Sequence, residues 1–131
     1  MKTNLSKSQS KPSRVQVRYR NHEGDITKYL VTDEIIFIEA NGSSTKFHLK
    51  DGSLIISGKH LGYYEESITK LIGFIKVGRS YIVNAFEIDS FNNSDGYLVL
   101  KPGSQILNHK PHKIRVSRDA KPNILKAISL L

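Results

Sequence analysis

The chain has no cysteine in its 131 residues. That absence excludes a disulfide framework and any thiolate metal site, and it suits a reducing compartment. Long apolar runs are missing too, because no stretch approaches the roughly 18 to 20 uninterrupted apolar residues that a membrane-spanning helix requires. The opening residues, MKTNLSKSQSKPS, carry lysines but no apolar segment of signal-peptide length, so neither export by that route nor a helical anchor is expected. Acids are scarce: 12 Asp and Glu stand against 20 Lys and Arg, a formal net charge of +8.

The positive excess lies at the two ends of the chain. From Met1 to His22 the bases Lys2, Lys7, Lys11, Arg14, Arg18 and Arg20 face no acid. From Lys101 to Lys126 the bases Lys101, Lys110, Lys113, Arg115, Arg118, Lys121 and Lys126 face only Asp119. Two explanations stay open. One is a solvated basic surface that keeps the protein soluble; the other is a face for an anionic partner, most often nucleic acid and less often an acidic membrane or protein surface.

What is present is a succession of short alternating segments. Residues 1–13 are Ser, Lys, Asn and Gln with almost nothing to bury, which reads as a disordered basic arm ahead of one domain over 14–131. Val15, Val17 and Tyr19 then alternate with polar residues, the period of a half-buried strand, and NHEGD turns the chain into a second strand, ITKYLV. IIFIEA is nearly continuous in apolar residues, as a central strand is, and Asn41-Gly42 turns it into STKFHLK and then SLIIS, a meander. Leu61, Tyr64, Ile68 and Leu71 lie at helical spacing, with Glu65 and Glu66 on the exposed side. Further strands follow in FIKV, SYIVN, EIDSF, YLVLK and KIRVS. From Asp119 a second helix is expected, with Pro122 in its first turn and Ile124, Leu125, Ile128 and Leu131 on one face. About ten short strands and one or two small helices make a mainly antiparallel, all-β domain.

Within this pattern FIKVGRSYIVNAFEI breaks a strand with Gly78-Arg79-Ser80. The glycine can mark a tight hairpin whose tip is simply solvated, or the turn can exist to hold Arg79 toward something negative. IIFIEANGSSTKFHLKDGS, the helix beginning near Leu61, FIKVGRSYIVNAFEI and the closing IRVSR together resemble the LytTR family of bacterial DNA-binding domains, over roughly Ile26 to Leu125. The resemblance implies an elongated fold of small antiparallel sheets that sends loops, not a recognition helix, into successive major grooves. It places Asn41, Ser43, Ser44, Thr45 and Lys46 in a first DNA-facing loop, Gly78 and Arg79 in a second, and Arg118 in a third. Arginine suits such a place because its fork bonds both O6 and N7 of guanine, while Ser44, Thr45, Ser80 and Ser117 are short donors for phosphate oxygens. Ser80 and Asn84 also read as turn or strand-end hydrogen-bonders, and Tyr63-Tyr64 as core packing rather than a base-stacking platform. The family commonly has histidine where this chain has Gly78, so a second contact in that loop is either missing or supplied by Lys76. SQILNHKPH is an insertion before the last strand.

Other chemistries find little support. His109 and His112 have no carboxylate or thiol beside them, a poor metal set, and no cofactor is expected. No phosphate loop, nucleophile elbow or cysteine marks an enzyme, and Glu87 and Asp89 read as ordinary exposed acids on a strand. Two function classes therefore remain. One is a sequence-specific transcriptional regulator of double-stranded DNA, with direct-repeat sites, a second copy side by side and residence in a bacterial cytoplasm on the nucleoid. The other is a basic β-rich module gripping RNA or acidic protein with low specificity. Family members often carry a receiver domain in front, where this sequence has only the arm, so DNA binding is expected not to depend on phosphorylation of the same chain.

Overall fold

Alternation with frequent turn residues is realised as ten strands and two α-helices among the described residues, which are 13–102 and 111–131 of a computed structural model. The arm residues 1–12, with Lys7 and Lys11, and residues 103–110, which take in most of the inserted SQILNHKPH (104–112) with His109, lie outside the described residues.

β1 (Arg14–Asn21) and β2 (Gly24–Val31) form a hairpin in continuous register from Arg14↔Val31 to Asn21↔Gly24. β3 (Ile35–Asn41), β4 (Ser44–Leu49) and β5 (Leu54–Ser57) make the expected meander, followed by α1 (Leu61–Thr69), β6 (Phe74–Val77) and β7 (Tyr81–Asn84). These five strands form one antiparallel sheet in the order β5-β4-β3-β7-β6, with β3 at its centre as its apolar run requires. β8 (Ile88–Asn92), β9 (Tyr97–Leu100) and β10 (Lys113–Arg115) make a three-stranded sheet, and α2 (Lys121–Ser129) closes the chain.

The central sheet is buried on both faces, which explains why β3 does not alternate. On one face Ile35, Ile38, Phe47, Leu49, Phe74 and Ile82 pack against Val15, Val17 and Leu30 of the hairpin and Leu61, Tyr64 and Ile68 of α1. On the other, Ile36, Phe37, Val77 and Val83 meet Leu98, Leu100, Ile114, Val116 and Ile124. A β-bulge between Ile35 and Phe37 turns Ile36 and Phe37 to the same face, an arrangement that strict alternation forbids.

Three expectations change in detail. Tyr64 is core, edge-to-face on Phe47 at 5.1 Å, but Tyr63 is 53% exposed with Lys59 Nζ 5.2 Å from its ring centre. The apolar face of α2 narrows to Ile124 and Ile128, since Leu125 and Leu131 are exposed. Glu87 belongs to a 3-10 turn over Ala85–Glu87, where Lys50 draws its carboxylate into an ion pair of 3.0 Å with only 13% of the side chain exposed. Asp89 is exposed as expected.

Asn84 takes the structural role that its place at a strand end suggests. Its Nδ2 donates to the Ile35 carbonyl at 2.9 Å, its Oδ1 accepts from the Phe86 amide at 3.1 Å, and it is 3% exposed. Asn84→Ala leaves both backbone groups without this partner and should cost about 1–3 kcal/mol, read from urea denaturation. A loss below ~0.5 kcal/mol would contradict the bridging role.

Candidate nucleic-acid interface

Antiparallel pairing of β3 with β7 sets the end of one strand beside the start of the other, with Glu39 opposite Tyr81. The β3–β4 turn and the β6–β7 turn consequently share one end of the central sheet. The Ala40 amide donates to the Ser80 carbonyl at 2.7 Å and locks the two turns together. This non-local pairing brings the first and second sequence-derived loops side by side.

In the second loop Gly78, Arg79 and Ser80 connect paired residues Val77 and Tyr81. Gly78 has φ +63°, and a Cβ there would meet nothing within 4 Å, so it is backbone conformation rather than crowding that selects glycine. Arg79 and Ser80 are exposed, and among the described residues Arg79 enters no ion pair. An arginine with no acid among the described residues to neutralise it thus stands at the tip of a paired hairpin.

The first loop is tighter. Gly42 and Ser43 form the turn between paired Asn41 and Ser44; Ser44 Oγ donates to the Asn41 carbonyl at 2.9 Å, and Asn41 Nδ2 reaches Ser44 Oγ at 3.4 Å. Ser43 is exposed, and Lys46 is half-buried opposite Glu39. Thr45 does not fit the role of a phosphate donor: it is fully buried, and its Oγ1 donates to the Lys59 carbonyl at 2.7 Å. Strand alternation is the reason, since Thr45 points to the same side as the core residues Phe47 and Leu49. Lys76 also departs from its expected place, because it lies on β6 before the turn and pairs with Glu65 of α1 at 3.2 Å.

Ser117 and Arg118 are exposed and follow β10 of the three-stranded sheet, beside the β8–β9 turn, where the Val116 amide donates to the Gly96 carbonyl at 2.9 Å. Ser117 organises the entry to α2: its Oγ accepts from the Ala120 amide at 3.2 Å, and its carbonyl accepts from the Lys121 amide at 3.1 Å. Sequence reasoning passed over Lys59, which Thr45 ties directly to the first loop; its signal, a base two residues after a strand ending at Ser57, is indistinct without the strand pairing.

Behind the first loop, His48 stacks on Phe37 with ring centres 4.0 Å apart, and its Nε2 lies 2.9 Å from Glu39 Oε1. His112 completes the cluster, edge-on to Phe37 at 4.7 Å. Burial holds His48 below the ordinary imidazole value of 6.5 and outweighs the hydrogen bond and charge of Glu39, which act the other way. The neutral ring at pH 7 therefore makes a hydrogen bond to Glu39 rather than a full ion pair. The unfolded chain takes up this proton more readily than the folded one, so stability is retained above about pH 6.5 and falls as pH drops below it. Melting of His48→Gln against the parent should show a shallower decline on the acid side of 6.5; parallel profiles would refute the assignment.

An antiparallel β domain thus joins a polar turn and an exposed arginine turn at one end of its central sheet, and its relatives give the family. The family model for the LytTr DNA-binding domain matches residues 25–129. The chain belongs to the LytTr DNA-binding domain family. Among solved structures it is similar to the LytTr DNA-binding domain of a Bacillus cereus protein described as a methyl-accepting/DNA response regulator, with a TM-score of 0.61 and 19% identity over 90% of this chain and 98% of that one. That identity shows the shared fold alone. No curated protein matches. Among the described residues no helix is long and apolar enough to cross a membrane, and no cluster of three or more His, Asp or Glu is placed to hold a metal ion.

Proposed function

We propose that the protein regulates transcription by binding double-stranded DNA at particular sequences through its loops. The observation that carries this reading is the joined pair of turns, with unpaired Arg79 at the tip of one and Asn41, Ser43 and Lys46 beside it. Neighbouring strands lie about 4.8 Å apart, whereas the major groove returns to one face of the duplex about every 34 Å. The first two loops accordingly address a single stretch of DNA, and Arg118, in the turn after β10, takes the next groove. Arg79 reads a guanine edge; Ser43, Ser80 and Ser117 donate to flanking phosphates. Sites are direct repeats with two copies side by side, in the cytoplasm of a bacterium on the nucleoid.

Salt and competitor titrations test the class of function. Nonspecific electrostatic binding falls steeply with salt, while base contacts leave a ratio between a preferred and a scrambled duplex that persists. A ratio of at least ~10 at about 150 mM salt supports sequence reading. Equal affinity for both duplexes, or preference for RNA or an acidic protein, would instead establish the low-specificity module.

A further inference from the structure

The family model begins at residue 25, so β1, with Arg14, Arg18 and Arg20 on its exposed side, precedes the matched region. A chain of hydrogen bonds nevertheless welds this strand to the first loop. Thr45 Oγ1 donates to the Lys59 carbonyl at 2.7 Å, and the Lys59 amide donates to Ser57 Oγ at 3.2 Å. Ser57 Oγ lies 2.5 Å from Tyr64 Oη, which accepts from the Arg18 amide at 3.2 Å. Thr45, Ser57 and Tyr64 are all buried, at 0%, 0% and 2% exposure, so the network is shielded from water and costly to break.

The consequence is a second basic surface beside the first loop. Arg18, Tyr19, Arg20, Asp25, Gly58 and Lys59 line an open concavity of about 230 Å³. Asp25 is its one acid, held by Arg18 at 2.6 Å with both side chains nearly half exposed, a pair that exchanges for another anion at little cost. Arg20 and Lys59 enter no ion pair among the described residues.

We infer that Arg20 and Lys59, with Arg18 at their side, form a phosphate clamp on the DNA backbone flanking the stretch addressed by the first two loops, and that the buried Thr45–Ser57–Tyr64 network holds the clamp in register with them. The inference rests on the DNA-binding reading and extends it to a surface that carries affinity without sequence information. Phosphate is the fitting ligand because three bases, Arg18, Arg20 and Lys59, line the concavity against the single acid Asp25, and Lys59 Nζ, now over the Tyr63 ring at 5.2 Å, sits on a long flexible stem.

The test is the dependence of duplex affinity on salt for the full chain, comparing the parent with Arg20→Ala/Lys59→Ala. A control removes two charges elsewhere: Lys28→Ala/Lys70→Ala, where Lys28 acts on Asp51 at the opposite end of the sheet and Lys70 pairs with Glu66. The clamp pair should lower the slope of log affinity against log salt by roughly 0.9 per lost contact, close to 2 in all, with base preference unchanged. The control should leave the slope within about 0.5 of the parent. A clamp variant whose slope matches the control overturns the inference while leaving the loop reading intact. A parent that binds no duplex even at low salt overturns both.

Discussion

Phe47→Ala should remove about 3–5 kcal/mol of folding stability, the largest loss expected from a single substitution among the sites considered. Phe47 is fully buried on β4 and meets Tyr64 of α1 edge-to-face. Its cluster also holds Val15 and Val17 of the hairpin, so one ring stands where three elements converge. Truncation opens a cavity in a close-packed region whose walls are paired strands that relax little. For a domain of this size, with stability of roughly 5–15 kcal/mol, the loss takes a large share of the total. Urea denaturation of Phe47→Ala and Phe47→Leu measures it, the leucine variant losing less because it keeps most of the volume. DNA affinity of Phe47→Ala should fall with its folded fraction and recover wherever folding is restored. A loss below ~1 kcal/mol would show that the three elements do not depend on this contact.

Arg79→Ala should weaken binding to the preferred duplex by about 1–3 kcal/mol, roughly 5- to 150-fold, and flatten preference at one base position. Arg79 is exposed and enters no ion pair among the described residues, and the hairpin beneath it is fixed by its own ladder and by the Ala40–Ser80 hydrogen bond, so truncation should leave the fold undisturbed. Lysine at this position keeps the charge and loses the fork. Arg79→Lys should therefore recover affinity for scrambled DNA more fully than discrimination between duplexes.

Sequence periodicity made the strands, both helices and the central place of β3 legible, because each is written in local alternation and turn residues. The bulge at Ile35–Phe37 was not, since an apolar run looks the same whether its side chains alternate or two adjacent ones share a face. Site residues divide along the same line. The exposed turn at Gly78 and Arg79 could be read from a glycine breaking an alternating stretch, while its contact with DNA stays a proposal. Thr45 could not be assigned correctly, because its burial depends on the α1 layer and on Lys59, fourteen residues further along. The union of the first two loops depends on β3–β7 pairing between residues some forty apart, and no local pattern encodes that. Family resemblance named the loops; only the sheet order sets two of them side by side.

Selection of bound sequences from a random duplex pool tests the central claim most directly, run in parallel for the parent chain and Arg79→Ala. The parent should enrich one motif containing a guanine whose information content collapses in Arg79→Ala while the rest of the motif persists. Recovery of no motif by the parent, or of the same motif with undiminished information by Arg79→Ala, would contradict it.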